Sequence, residues 1–261
     1  MNEPTQAIVA RLSEWIDPAR ISTEPALLDE LSWDALSEGR IHPQRRPEVH
    51  PPVCAVRPHS TEEVCRIVQF ANLNKMAVVP FGGGSGLMGG ALSVRPCLVI
   101  DLRLMNRIIE VDAPARSARA QAGVVLESLD EKLAETGLIL GHDPWTLPVA
   151  TIGGAISTNS VGYRAGIYGS MGEQVLGLEA VLPNGEILRT RAISKHSAGL
   201  QLNALLIGGE GCFGIITEAT LRVFPKPALR LFFGCLFSSF DTGYAAIQQM
   251  FERRLPPALL V

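Results

Sequence analysis

Residues 80–90 of this chain read Pro80-Phe81-Gly82-Gly83-Gly84-Ser85-Gly86-Leu87-Met88-Gly89-Gly90, and six of the eleven are glycine. The apolar run Ala77-Val78-Val79 leads into the stretch, and Cys97-Leu98-Val99-Ile100 leaves it. Glycine in such number loses entropy on folding and is useful where the backbone needs positive φ or where something must come close. Successive main-chain N–H groups curled into a concavity bind anions, phosphates above all. A flexible linker would be flanked by polar chain rather than clamped between two apolar strands.

The kind of phosphate site can be narrowed. A kinase-type P-loop ends in Gly-Lys-Ser/Thr, and no lysine lies between Lys75 and Lys132. Gly84-Ser85-Gly86-Leu87-Met88-Gly89 spells G-x-G-x-x-G, with Asp101 near the acidic position of a dinucleotide fold. That fingerprint requires a helix opening at the glycines, whereas Pro96 and the strand-like Cys97–Leu102 follow here. A Rossmann reading is therefore rejected.

Composition bounds the remainder. The 261 residues are 47% hydrophobic and 19% charged, with net charge −3. This is ordinary globular composition and argues against nucleic acid as a partner. No apolar run approaches the ~18 residues of a membrane helix, so no transmembrane segment is expected. The five scattered cysteines lack C-x-x-C spacing; they read as reduced thiols of a cytoplasmic protein. The histidines form no metal-ligand cluster, so no metal is expected.

Along the chain, residues 5–16 and 26–36 read as helices and 41–59 as an extended connector. That connector holds the basic pair Arg45-Arg46, read as a solvated face, and a short strand at Val53–Val56. Ser60-Thr61-Glu62-Glu63 reads as a capping box opening a helix that buries Val64, Ile67, Val68 and Ala71. Strands are expected at 97–102, 107–112 and 118–122, then a helix with Val125, Leu129 and Leu133 inward. Residues 151–160 read as a helix entered through Gly153-Gly154, whose free N–H groups would favour anions and carbonyls. A hairpin turns at Pro183-Asn184-Gly185, a short helix covers Leu202–Ile207, and a second glycine cluster occupies 208–214 before a β-rich run. Past Pro225 and Pro227, Leu229–Phe237 reads as a strand and Thr242–Arg254 as a helix.

Five strings stand in order: V-V-P-F-G-G-G-S-G-L-M-G-G-A, V-I-D-L-R-L-M-N-R-I-I-E-V-D, A-T-I-G-G-A-I-S-T-N-S-V-G, V-L-G-L-E-A-V-L-P-N-G-E and G-G-E-G-C-F-G-I-I-T-E-A-T-L. Together they resemble the FAD-binding domain of the vanillyl-alcohol-oxidase-type (PCMH-type) flavoproteins. The pattern is most like glycolate oxidase/D-lactate dehydrogenase subunits and alkyl-dihydroxyacetonephosphate synthase. The resemblance implies an α+β fold with a two-subdomain FAD-binding region over 45–227, divided at about 45–104 and 105–227. An N-terminal helical extension over 1–44 precedes it, and the beginning of an incomplete cap domain over 228–261 follows.

The resemblance also implies which residues meet FAD. The pyrophosphate would lie on Pro80, Phe81, Gly82, Gly83, Gly84, Ser85, Gly86 and Leu87. The flavin and its linker would run along Trp145, Thr151, Ile152, Gly153, Gly154, Thr158, Asn159, Ser160 and Val161. Glu210, Gly211, Gly214, Ile215 and Ile216 would close over the cofactor. No histidine lies between His59 and His142, so attachment is expected to be non-covalent.

The implied activity is an FAD-dependent oxidoreductase of the 2-hydroxy-acid dehydrogenase type, acting on a small-molecule D-2-hydroxy acid of the lactate or glycolate kind. Its electrons would pass to an acceptor protein, quinone or oxygen. The alternatives are an alkyl-dihydroxyacetonephosphate-synthase-like flavoenzyme, or a non-catalytic FAD-binding fragment or subunit that needs a partner cap. No catalytic residue is named, although His142 and Arg164 are candidates. Because 228–261 offers too little chain to bury its own apolar residues, the expectation is a chain that binds flavin without turning over substrate.

Overall fold

The computed structural model describes residues 5–36, 49–194, 197 and 199–255. Helix α1 (Thr5–Leu12) comes first, then strand β1 (Ile21–Ser22) and helix α2 (Pro25–Glu30). Strand β2 (Cys54–Val56), helix α3 (Thr61–Leu73) and strand β3 (Ala77–Phe81) form a β-α-β unit, and β4 (Cys97–Asp101) follows the glycine loop. The four strands make one sheet in the order β1-β2-β4-β3. β4 runs parallel to both of its neighbours, and β1 pairs antiparallel with β2 at the edge.

Alternation explains why this sheet is covered on both faces. Cys54, Val56, Leu98 and Ile100 pack with Val64, Ile67, Ala71, Ile8, Leu12 and Ile16 in one core. Ala55, Phe81, Cys97 and Val99 pack with Leu28 and Leu31 in another. β4 is therefore buried at all five positions, as its unbroken apolar sequence requires. Ser60 caps α3 by accepting from the Glu63 N–H. The Glu63 carboxylate reaches back one residue further than the expected capping box, accepting from the His59 N–H at 2.8 Å.

The second sheet begins with β5 (Ile108–Asp112) and β6 (Ser117–Gln121). Helix α4 (Leu126–Ala134), the short strand β7 (Leu138–Ile139) and helices α5 (Ile152–Ser157) and α6 (Ala165–Tyr168) come next. The hairpin β8 (Val175–Val181) and β9 (Ile187–Arg189), helix α7 (Asn203–Leu206) and strand β10 (Ile215–Arg222) complete it. The sheet is wholly antiparallel, ordered β5-β6-β10-β8-β9. Its core joins Ala118, Ala120, Leu178, Ala180 and Ala219 to Leu129 and Leu133 of α4 and Ile152 and Ile156 of α5. Leu126, and not Val125, is the third inward residue of α4: Val125 is its N-cap and bridges to Thr151. Strand β11 (Phe224–Pro225) pairs with β7.

Contacts between the sheets fix the site between them. Val181 and Ile215, from the second sheet, are part of the first sheet's core. Glu179 of β8 accepts hydrogen bonds from Thr61 of α3 at 2.5 Å and from Thr217 at 3.0 Å. Burial pushes its carboxyl up, but bonds from Thr61, Arg189 and Thr217 outweigh this and hold it below the usual range.

Other expectations need correcting. Helices α1 and α2 are shorter than 5–16 and 26–36, since the chain turns at residues 13–15 and 31–32. Residues 229–237 form no strand, because among the described residues no neighbouring strand offers the ladder partners an extended segment needs. Leu231, Phe232, Phe233 and Leu236 there are exposed. The helix that follows, α8 (Phe240–Glu252), starts earlier than expected under a Ser239/Thr242 capping box and buries none of its residues. Arg45-Arg46 and residues 256–261 lie outside the described residues.

Candidate functional site: a cavity between the two sheets

A cavity of about 340 Å³ opens where the loop after β3 faces α5 and the start of β10. All the candidate cofactor residues line it except Ile152 and Asn159. Three stretches far apart in sequence, 80–87, 145–161 and 210–216, are thus brought to one place.

The glycine loop makes one wall, and two of its glycines show why no other residue serves. A Cβ on Gly83 would overlap the Val149 carbonyl oxygen and come within 3.1 Å of Ala150 Cα. These are backbone neighbours that cannot swing aside. Gly84 has φ +62°, and a Cβ there would sit 2.8 Å from the Phe81 ring. Phe81 is itself buried, with the Arg103 guanidinium 5.3 Å from its ring centroid. The ring is thus a floor under the loop. Among the described residues, none of the N–H groups from Gly82 to Met88 donates a main-chain hydrogen bond. The residues that carry these unengaged donors line the cavity.

Dipoles are the cavity's source of positive potential, since no basic side chain lines it among the described residues. Among the described residues its only charged lining side chains are Asp34 and Glu210, both acidic. Arginine 103 is engaged elsewhere, with Nε and Nη2 each donating to the Asp101 carboxylate at 2.9 Å. Asp101 is buried by that pairing, so it is a structural acid and no ribose ligand, in keeping with the rejected dinucleotide fingerprint.

The opposite wall departs from expectation in one respect. The first N–H groups of α5 are already used: Ile152 donates to the Val124 carbonyl at 2.9 Å and Gly153 to the Ala122 carbonyl at 2.8 Å. Gly154 donates to the N-cap hydroxyl of Thr151. Of the two glycine stretches, only the loop after β3 therefore keeps unengaged N–H groups, and Gly153-Gly154 serve close approach. A Cβ on Gly153 would come 2.7 Å from the Ala122 side chain. The Ile152 side chain points into the second core. Asn159 is turned away at φ +46° and accepts from the Gly172 N–H at 3.0 Å. Trp145 stands at the rim, 77% exposed, and is not a core residue.

His142 and Arg164, the candidate catalytic pair, do not line the cavity. Arg164 Nε lies 2.5 Å from Asp143 Oδ2 as an ion pair whose angle falls outside hydrogen-bond geometry. His142 is fully buried, and its Nε2 lies 2.8 Å from the Oγ of Ser160, a residue that does line the cavity. Burial pushes the imidazole down to about 4, with Asp143 and Arg164 pulling in opposite directions.

The sequence reading missed several lining residues, among them Asp34, Leu102, Ala122, Pro144 and Ser157. Asp34 sits against Gly86, where a Cβ would come 3.4 Å from its carboxylate. No local motif marks it. For Pro144 and Ser157, proximity to the named stretches was the available signal.

Residues 52–191 match the family model described as FAD binding domain. The chain is 35% identical over 260 residues to a D-lactate dehydrogenase of Anaerostipes hadrus, covering 99% of this chain and 53% of that protein. Its structure superposes on an alkyldihydroxyacetonephosphate synthase with TM-score 0.83 at 30% identity, covering 97% of this chain and 50% of that one. A p-cresol methylhydroxylase, at TM-score 0.71 and 22% identity over 86% of this chain and 44% of that one, shares the fold. The chain spans about half the length of the curated relatives it matches. Among the described residues, no helix is long and apolar enough to cross a membrane, and no group of side chains could hold a metal ion.

Proposed function

This chain belongs to the FAD binding domain family, and from that premise we propose that its cavity holds one FAD non-covalently and that the protein oxidises a D-2-hydroxy acid of the lactate or glycolate kind. One observation carries the cofactor assignment: the glycine loop presents unengaged N–H donors to a cavity between two sheets, at a backbone distance no side chain would allow. The residues suit FAD. The loop offers donors for a diphosphate, Phe81 floors it, and Trp145, Val161 and Ile216 give apolar surface for a ring system. No histidine or cysteine lines the cavity among the described residues, which supports non-covalent attachment.

Bound FAD supplies the hydride acceptor for the oxidation. The chain's own contribution is to hold and orient. Gly82–Leu87 bind through main-chain dipoles, while Thr158, Ser160 and Glu210 add polar groups. Close packing of the loop on Val149–Thr151 excludes water from one side. In this reading residues 45–227 form the cofactor domain, with subdomains about 45–104 and 105–227, and 228–261 belongs to the cap. The electron acceptor, a protein, a quinone or oxygen, is part of the proposal, as is a cytoplasmic location.

The substrate class draws on the likeness to D-lactate dehydrogenase. Anaerobic mixing of D-lactate, D-2-hydroxybutyrate and glycolate with FAD-loaded protein joined to a complete cap tests it: bleaching of the flavin band with one of them is the expected result, while the 261 residues by themselves should bind flavin and leave it oxidised. The superposition on alkyldihydroxyacetonephosphate synthase favours a second reading, a non-redox carbon–oxygen exchange. A flavin that stays oxidised with every hydroxy acid, while the protein replaces the acyl group of an acyl-dihydroxyacetone phosphate by the alkoxy group of an added long-chain alcohol and releases the fatty acid, would replace the first reading by the second.

A further inference from the structure

Among the described residues, three buried side-chain polar atoms have no hydrogen-bond partner: His142 Nδ1, Arg164 Nε and Gln174 Oε1. They cluster around one corner behind the cavity. A Cβ on Gly162 would meet His142 Nδ1 at 3.1 Å and the Asp143 backbone, one on Gly141 would meet Gln174 Oε1 at 2.9 Å, and Arg164 pairs with Asp143. Buried polar groups are nearly always satisfied, and an orphaned N–H is rarer than an orphaned acceptor. The tautomer that orphans no N–H is the one with its hydrogen on Nε2, where Ser160 Oγ stands 2.8 Å away, and only a lone pair at Nδ1.

That choice has a consequence for Ser160. A hydroxyl carries one proton. With its oxygen accepting from His142, that proton must be donated elsewhere. Among the described residues its only other partner is the Ala155 carbonyl, to which it donates at a long 3.3 Å, and that carbonyl also accepts from the Ser160 N–H at 3.0 Å and from Thr158 Oγ1 at 3.4 Å. Ser160 lines the cavity.

We propose that His142 is a positioning residue for the cofactor: as the Nε2–H imidazole it donates to Ser160 and so commits the Ser160 hydroxyl to donate to an acceptor oxygen or nitrogen of bound FAD. This rests on the reading that the cavity takes FAD. It distinguishes His142 from a merely packed core histidine, and it explains why a polar ring is kept in a corner where its second nitrogen has no partner.

The test is a double-mutant cycle on FAD affinity, with ADP as a second probe that carries the diphosphate without the flavin. Ser160→Ala and His142→Leu should each weaken FAD by about tenfold, roughly 1.4 kcal/mol, and the double variant should be no weaker than either. His142→Gln, whose amide N–H can stand near the Nε2 position, should recover most of the loss. Parallel losses for ADP place the acceptor on the diphosphate, and losses for FAD alone place it on the flavin side. A His142→Leu effect that persists undiminished in the Ser160→Ala background makes the role structural and overturns the proposal. Nitrogen NMR of the wild-type protein without flavin gives an answer independent of binding and of variant folding. The Nε2–H tautomer is expected, and an Nδ1–H tautomer overturns the proposal. Wild-type protein that takes up neither FAD nor ADP, with the Nε2–H tautomer present, sinks the cofactor reading itself and the proposal with it.

Discussion

Acid should destabilise this protein through His142 well before the carboxylates titrate. The ring is buried, and its protonation is pushed from the ordinary 6.5 down to about 4. Between those two values the unfolded chain binds a proton at His142 that the folded chain refuses. Stability therefore falls as pH falls through this window and is fully retained above pH 6.5. The whole shift corresponds to roughly 3 kcal/mol, and about 2 kcal/mol of it is lost between pH 7.5 and pH 5.0. For a chain of this size that is about 4–8 °C in Tm. The carboxyls of Glu63 and Glu179, held low, stabilise above the unfolded carboxylate range and lose that contribution mainly below pH 5. Glu218, pushed up by burial, acts in the opposite direction. All three are common to wild type and variant, so a comparison isolates the histidine. Urea unfolding of wild type and His142→Leu at pH 7.5 and 5.0 is the assay. The wild type should lose about 2 kcal/mol more than the variant over that interval. Equal losses in the two proteins would refute the reasoning, because they would mean that the imidazole is free to charge in the folded state.

Further expectations concern the glycine loop and the cofactor. Gly84→Ala should cost at least about tenfold in FAD affinity, since the residue needs φ +62° and its Cβ would press on Phe81. Gly86→Ala should stay within about threefold, because Gly86 is not in the left-handed region and would meet only the Asp34 carboxylate at 3.4 Å. Equilibrium titration of both variants checks the pair, and equal losses would count against the loop geometry. FAD affinity should change by no more than about twofold between 50 and 500 mM salt, since dipoles and not cations line the cavity. A steep salt dependence measured by fluorescence would point to an overlooked basic contact. Acid precipitation should release the yellow chromophore into the supernatant, and flavin retained by the pellet would disprove non-covalent attachment.

Much was legible in the sequence because the relevant physics is local. The glycine run between two apolar strands announced a backbone that lines a cavity and is approached too closely for any side chain. Ser60 announced the start of α3, and the apolar spacing of Val64, Ile67 and Val68 its buried face, because caps and helical periodicity act within a few residues. Pro96 ruled out a dinucleotide helix after the glycines for the same local reason. What only the tertiary structure decided depends on partners distant in sequence. Leu229–Phe237 has a strand's composition but no strand, because a ladder needs a neighbour. The N–H groups of Ile152 and Gly153 looked free and are taken by Val124 and Ala122, a pairing set by how β6 and α5 pack. Asp34 reaches the cavity from about fifty residues before the loop with no motif to mark it. His142 became informative only once its Nε2 was seen on Ser160 and its Nδ1 was seen to face no acceptor. Burial and hydrogen-bond satisfaction are properties of the folded neighbourhood, and a histidine's letter in the chain carries neither.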